Sequence, residues 1–345
     1  MSDIPRRILI IRNDKLGDFV LSLPAFALAR RAFPHAHITA LVPEYTRELA
    51  EACEYIDEVL VDRHRDTSWS HVLRLCHDLR AHDFDAAIAL FSIGRVGLAL
   101  WLARIPYRLA PATKIAQIFY NHRLRQRRSR SEKPEWEYNC DLVRRCITHF
   151  GDGDTSTPAP PFLHFPRDEI TDLREHFCAQ HTIHRDARLI FLHAGSGGSA
   201  NNLSLEQYAT LAAAIFTRIP AVHFVLTAGP GEEEVVHALA NLLTGIPHTV
   251  YHSTQGLVNF ARHLAIADLF IAGSTGPLHI AGALDVPTVA FYTRRRSATA
   301  LRWQTLNSED RRLAFSPPDG VEKTDMSAID VDAAAVTLCR TFFIT

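Results

Sequence analysis

Three observations predict an α/β protein with two doubly wound, Rossmann-like domains. Short β-branched runs alternate with amphipathic helical patterns in both halves of the chain, the order that builds parallel sheets covered by helices on both faces. The 345 residues exceed one ordinary core and suit two domains of common size. Between the halves, Gly151-Asp152-Gly153-Asp154 and the prolines Pro158, Pro160 and Pro161 interrupt every periodicity. The first domain is therefore placed at residues 1–160 and the second at 161–329, with a last helix at 330–343.

The elements follow in order. Ile8–Ile11 is a buried-strand run, followed by the loop Arg12 to Asp18 and helical spacing from Val20 to Ala32. Further strands are expected at Ile38–Val42, Glu58–Val61 and Ala86–Leu90, and Trp69, Val72, Leu73, Cys76 and Leu79 follow helical spacing between them. In the second half the strands are Leu189–Leu192, His223–Ala228, Leu269–Ala272 and Thr288–Phe291. Helices at Leu205–Ile219, Glu232–Leu243 and Leu257–Ala267 separate them, and apolar spacing over Asp330–Phe343 gives the final helix.

Composition narrows the function classes. Hydrophobic residues make up 47% and charged residues 22%, ordinary globular values without a disorder signature. The formal net charge is −1, so any attraction to nucleic acid or to an anionic membrane must be local. The six cysteines form no C-x-x-C pair, and a chain of this size does not need a disulfide framework, so reduced, buried thiols are expected. Arg12 cuts Ile8–Ile11 short of a signal peptide's apolar region, and no stretch reaches bilayer-spanning length; a cytoplasmic protein is expected.

Two stretches carry chemistry. Gly273-Ser274-Thr275-Gly276 is a small-residue turn between a strand and a short apolar helix, where backbone N–H groups and the hydroxyls of Ser274 and Thr275 can hold an anion. His279 lies in the first turn of that helix; the plainer reading is an ordinary turn with a core histidine. Asp18 stands at a helix entrance after the first strand, where an aspartate serves either as an N-cap or as a carboxylate facing the crevice of an α/β enzyme.

Taken together these stretches resemble the family-9 glycosyltransferases, the bacterial lipopolysaccharide heptosyltransferases. The resemblance rests on Ile8–Ile11, Gly17-Asp18 and Leu23-Pro24; on His193-Ala194-Gly195-Ser196-Gly197-Gly198 in mid-chain; and on Thr275, Gly276, His279, Ala281, Ala283, Leu284, Pro287 and Thr288 near the end. It spans most of the chain with the motifs in the family's order. It implies the GT-B arrangement, two domains facing across a cleft, with the C-terminal helix crossing back to the first domain. It also implies inverting transfer of a sugar, heptose from ADP-heptose, to lipopolysaccharide core or a related surface glycan.

Inversion is one direct displacement, so a base must take the acceptor's proton. Asp18 matches the family's catalytic aspartate, and Asp14 on the same loop is the reserve; an exposed carboxylate near its ordinary pKa of about 3.9 is ionised at neutral pH. Donor-binding residues are expected to be Gly195, Ser196, Gly197, Asn201, Ser274, Thr275, Gly276 and His279, with the diphosphate at Ser274–Gly276. No metal and no organic cofactor is expected.

The segment Asn121–Lys133 is strongly basic and is expected, with Lys15, to serve an anionic glycolipid acceptor through Arg123, Arg125, Arg127 and Arg128. Anionic headgroups on the inner membrane's cytoplasmic face suit the same segment, and a plain solvated face is the alternative. Nucleic acid is not expected as a partner, since the segment lacks interleaved aromatics.

The sequence departs from the family twice. Many members carry Lys-x-Trp-Pro where this chain has Asn201-Asn202-Leu203-Ser204, and many carry Asp where it has Ser274. Two other function classes remain at this point: a nucleotide-dependent oxidoreductase or epimerase, against which the missing G-x-G-x-x-G after Ile8–Ile11 counts, and a non-catalytic glycan-binding paralogue.

Overall fold

A computed structural model describes residues 4–63, 68–113, 115–151, 153–195 and 201–343. The chain divides into two units, Met1–Phe162 and Leu163–Thr345. In the first unit the elements are β1 (Arg7–Ile11), α1 (Leu16–Val20), α2 (Leu23–Ala32), β2 (His37–Val42), α3 (Arg47–Glu51), β3 (Glu58–Val61), α4 (Trp69–Arg80), β4 (Ala86–Ala89), α5 (Gly94–Leu102), β5 (Tyr107–Pro111), β6 (His122–Leu124) and α6 (Glu135–Phe150).

Its six strands are all parallel, in the order β3-β2-β1-β4-β5-β6. Ile8, Leu9, Ile10 and Ile11 are all fully buried, as a central parallel strand covered on both faces requires. Leu9 and Ile11 face a core built with α4 and α5, whereas Tyr107 on β5 points the other way and stacks against His149 of α6. The helical pattern read as one element over Val20–Ala32 is two helices. A helix running through Pro24 would lose the N–H bond to the carbonyl four residues back; the chain instead restarts after Ser22 with Pro24 in the first turn.

The second unit runs α7 (Arg167–Gln180), β7 (Arg188–His193), α8 (Leu205–Arg218), β8 (Val222–Ala228), α9 (Glu233–Leu242), β9 (His248–His252), α10 (Gly256–Ala265), β10 (Leu269–Gly273), α11 (Gly276–Ala283), β11 (Thr288–Phe291), β12 (Arg312–Phe315) and α12 (Val331–Phe342). Its parallel sheet has the order β12-β11-β10-β7-β8-β9. The last helix, α12, packs along α8, and its Val331, Ala334, Ala335, Leu338 and Cys339 belong to the second unit's core.

Strand order reverses at two places, between β1 and β4 and between β7 and β10. Loops leaving such neighbours splay apart at the carboxyl edge and open a crevice, the usual ligand position in open α/β sheets. The loop after β1 carries Asp14 and Asp18; those after β7 and β10 carry Gly195 and Ser274–Gly276. All six cysteines are buried and free. Among the described residues no helix is long and apolar enough to cross a membrane.

Candidate functional site

The loop after β1 is organised by a residue that periodicity treats as a mere strand terminator. Arg12 is 1% exposed. Its Nε and Nη2 donate to the two carboxylate oxygens of Asp14 at 2.7 and 3.0 Å, Nη2 also donates to Asp18 Oδ1, and Nη1 donates to Glu135 Oε1 and Asn139 Oδ1, both at 3.1 Å. Glu135 and Asn139 lie on α6, so this guanidinium ties the β1 loop to a distant helix. Burial opposes its charge, but Asp14, Asp18 and Glu135 together hold its pKa above the usual arginine value.

Asp18 is the third residue of α1, whose N-cap position is Lys15, so it is not the N-cap. Nor is it an exposed carboxylate with an ordinary pKa. Burial raises its pKa from 3.8 to about 6; Arg12 pulls against that shift, while Asp14 and Glu135 add to it. A carboxylate titrating near 6 is a better proton acceptor at neutral pH than one near 4, because base strength rises with pKa while the group stays mostly ionised. Lys15 is exposed at the mouth of this loop.

In the second unit α11 starts directly after β10, with Thr275 at its N-cap position and no side-chain cap. Pro277 supplies no N–H, so Thr275, Gly276 and Leu278 carry the backbone donors at this end. Thr275 and His279 are 5% and 3% exposed, and among the described residues Thr275 Oγ1 and His279 Nδ1 have no hydrogen-bond partner. Burial lowers the His279 pKa to about 4, so the imidazole is neutral at pH 7 and offers a hydrogen bond without a charge. Two buried polar atoms beside a helix N-terminus are costly unless a ligand satisfies them. The carboxyl end of β7 adds His193 and Gly195. His193 Nδ1 lies 3.1 Å from the Thr227 carbonyl, and its Nε2 lies 3.6 Å from Glu232 Oε2. Ser196 and Gly197 lie outside the described residues.

The sequence profile of Glycosyltransferase family 9 (heptosyltransferase) matches residues 72–313. A Haemophilus influenzae protein named as a candidate glycosyltransferase is 46% identical over 329 residues, 95% of this chain and 94% of that one. The chain belongs to glycosyltransferase family 9. The solved structure of a family 9 glycosyl transferase from Veillonella parvula matches with a TM-score of 0.80 at 21% identity, covering 98% of this chain and 97% of that one. E. coli ADP-heptose lps heptosyltransferase II matches at 0.77 and 17% identity, covering 97% and 98%, and E. coli heptosyltransferase WaaC with ADP at 0.73 and 18%, covering 97% and 99%. These likenesses show the GT-B fold class, and the family membership selects a glycosyltransferase over an oxidoreductase or epimerase.

As a family 9 chain this one fills the Lys-x-Trp-Pro stretch in its own way. Asn201 is exposed, with Nδ2 3.5 Å from the Thr324 carbonyl. Asn202, which the motif comparison passed over, is a strut: Nδ2 donates to the Ala194 carbonyl at 2.9 Å, and Oδ1 accepts from the Tyr208 hydroxyl at 2.5 Å and the Leu203 N–H at 3.0 Å. It thus joins the β7 loop to α8 beside β10. Ser204 caps α8 in a capping box with Gln207. The Ser-x-x-Gln spacing was the available signal for the cap.

The basic segment of this family 9 chain starts in the sheet, with β6 covering His122–Leu124, and continues through a 3-10 turn at Arg128–Arg130. Arg123 on β6 donates from Nε to the Tyr120 carbonyl at 3.1 Å, and Arg125 and Arg127 are exposed. Arg128 differs from them: its Nε donates to Gln126 Oε1 at 2.9 Å and its Nη1 to Glu135 Oε1 at 2.6 Å. Through Glu135 it joins the network around Asp18. Nothing in local periodicity distinguishes Arg128 from its neighbours, because its partner is on α6.

Proposed function

We propose that the protein is an inverting glycosyltransferase that moves heptose from ADP-heptose to the lipopolysaccharide core or a related surface glycan, at the cytoplasmic face of the inner membrane. Family membership supports the transfer, and relatives whose structures contain ADP or ADP-2-deoxy-2-fluoro heptose support the donor. In this reading the second unit takes the donor: the diphosphate meets the N-terminus of α11, with Ser274, Thr275 and His279 giving hydrogen bonds and Gly195 close to the nucleoside. As the glycosidic bond breaks, negative charge builds on the leaving diphosphate and is stabilised by these preorganised dipoles.

The first unit supplies the base. Arg12 occupies Asp18 Oδ1, and we assign Oδ2 as the oxygen that takes the acceptor hydroxyl's proton while that hydroxyl attacks the anomeric carbon from the face opposite the diphosphate. Lys15, Arg123, Arg125 and Arg127 are assigned to the anionic acceptor. The observation that carries the proposal is the carboxylate of Asp18, held by a buried guanidinium at the carboxyl edge of its sheet and raised to about 6.

Asp18→Asn is the test. The amide is nearly isosteric and still accepts from Arg12, so only proton acceptance is lost; transfer from ADP-heptose should fall by at least ~100-fold, with ADP affinity near wild type and a melting temperature no lower than wild type at neutral pH. A variant retaining more than a tenth of wild-type turnover removes Asp18 from this role.

A further inference from the structure

One layer of the first unit has an outer surface unlike the rest of the molecule. It consists of α4, α5 and the 3-10 turn Ile115–Phe119, packed side by side on one face of the sheet. Surface helices normally turn charged residues to water. Here Trp69 (66% exposed) and Leu73 (57%) on α4, Trp101 (52%) on α5, and Ile115 (83%) and Ile118 (63%) on the turn face outward. α5 carries one charged residue, Arg95, and that side chain points inward to a bidentate pair with Asp62 at 2.8 and 2.6 Å.

The charge around this face is mostly positive: α4 sets Arg74 and Arg80 against Asp78, and beyond it the charge has one sign. Residues 86–131 contain nine Lys or Arg and no Asp or Glu, in a chain whose net charge is −1. Strand alternation puts part of that charge at the margin of the layer. His122 on β6 and Tyr107 on β5 stack with His149 of α6 on the opposite face, so Arg123 and Arg108 project toward the turn. There Arg108 Nε donates to the Phe119 carbonyl at 2.9 Å and Arg123 Nε to the Tyr120 carbonyl at 3.1 Å. Arg104, just past α5, is exposed.

We infer that this face docks on an anionic phospholipid surface, with the Trp and Ile side chains entering the headgroup boundary and the arginines meeting lipid phosphates. Charge selects this occupant. A second copy seated by two-fold symmetry would bring the same arginine-rich rim against itself, and like charges so juxtaposed oppose association. The inference deepens the proposed function, since a glycolipid acceptor lies in such a surface. The vesicle-binding measurement that decides it uses neither donor nor acceptor, so it can fail while transfer stands, and transfer can fail while it stands.

The experiment is co-sedimentation of the full chain with vesicles of phosphatidylglycerol and phosphatidylethanolamine, against phosphatidylcholine vesicles, at low and high salt. Binding is expected to the anionic vesicles, to weaken with salt, and to fall about tenfold in Trp101→Ser/Ile115→Ser/Ile118→Ser. That variant should keep its melting temperature and its turnover on a water-soluble acceptor fragment. Brominated lipid should quench wild-type tryptophan emission more than that of Trp101→Ser. Binding no better than to phosphatidylcholine at low salt overturns the inference, as does an unchanged triple variant. A dimer that the triple variant dissociates overturns it as well, by assigning the face to a second copy.

Discussion

Asp18 and Glu135 are bound to the same guanidinium: Arg12 reaches Asp18 through Nη2 and Glu135 through Nη1, with Asp14 on the same cation. One buried positive charge faces three carboxylates; burial, with Asp14 and Glu135 adding to it against Arg12, makes Asp18 hold its proton more tightly than an isolated aspartate. For kcat/KM this predicts an acid limb near pH 6 in wild type, with activity falling as the pH drops and Asp18 protonates.

The same shift predicts a stability difference. The folded pKa lies above the ordinary 3.8, so the native state binds the extra proton, and the Asp18 contribution to stability falls as pH rises from about 4 to about 6. Asp18→Asn has no such titration. Melting temperatures of wild type and variant, compared across that window, should show the variant gaining relative to wild type as pH rises. Parallel profiles would show that the shift is absent.

Glu135 raises the Asp18 pKa through its charge, without touching the carboxylate. Glu135→Gln keeps a side chain that can accept from Arg12 while removing one negative charge. The acid limb should move to lower pH, with the KM for donor unchanged. An unmoved limb would mean that burial, Arg12 and Asp14 set the base without Glu135.

The sheet centres were legible because β1, β4, β7, β10 and β11 are buried on both faces and read as unbroken apolar runs. The edges were not. β6 is His-Arg-Leu and β12 is Arg-Leu-Ala-Phe, short strands whose polar residues face away from the core and leave no run to count. At the site, Gly17-Asp18 and Thr275-Gly276 were visible as short motifs that follow apolar strands. Arg12, Glu135 and Asn202 were not: the Arg12–Glu135 pair spans 123 residues, and a charged or amide side chain carries no periodicity that points to its partner even when, as for Asn202, the partner is near.

Gly273 tests the strut. A Cβ built there would sit 2.5 Å from Asn202 Oδ1 and 2.9 Å from Cγ. Asn202 cannot swing aside without giving up its bonds to Ala194, Leu203 and Tyr208. Gly273→Ala should therefore destabilise the protein by about 1–3 kcal/mol and weaken ADP binding, because the displaced amide drags the β7 loop with it. Asn202→Ala/Gly273→Ala removes the clash, so its stability loss should be less than the sum of the two single losses. Denaturant melts and ADP titrations of the three variants decide it.

Arg128 should behave unlike the arginines that precede it. It neutralises part of Glu135, so Arg128→Ala leaves more net negative charge beside Asp18 and should move the acid limb to higher pH, opposite to Glu135→Gln. Turnover at neutral pH should fall accordingly. Arg123→Ser/Arg125→Ser/Arg127→Ser removes exposed charge outside that network and should raise the KM for an anionic acceptor while the acid limb stays in place. Added salt should weaken acceptor use by wild type more than by the triple variant, since exposed charges are screened within about 8 Å at physiological ionic strength. If Arg128→Ala changes only acceptor KM, or the triple variant shifts the pH profile, the division of this basic segment into an internal member and a solvent-facing group is wrong.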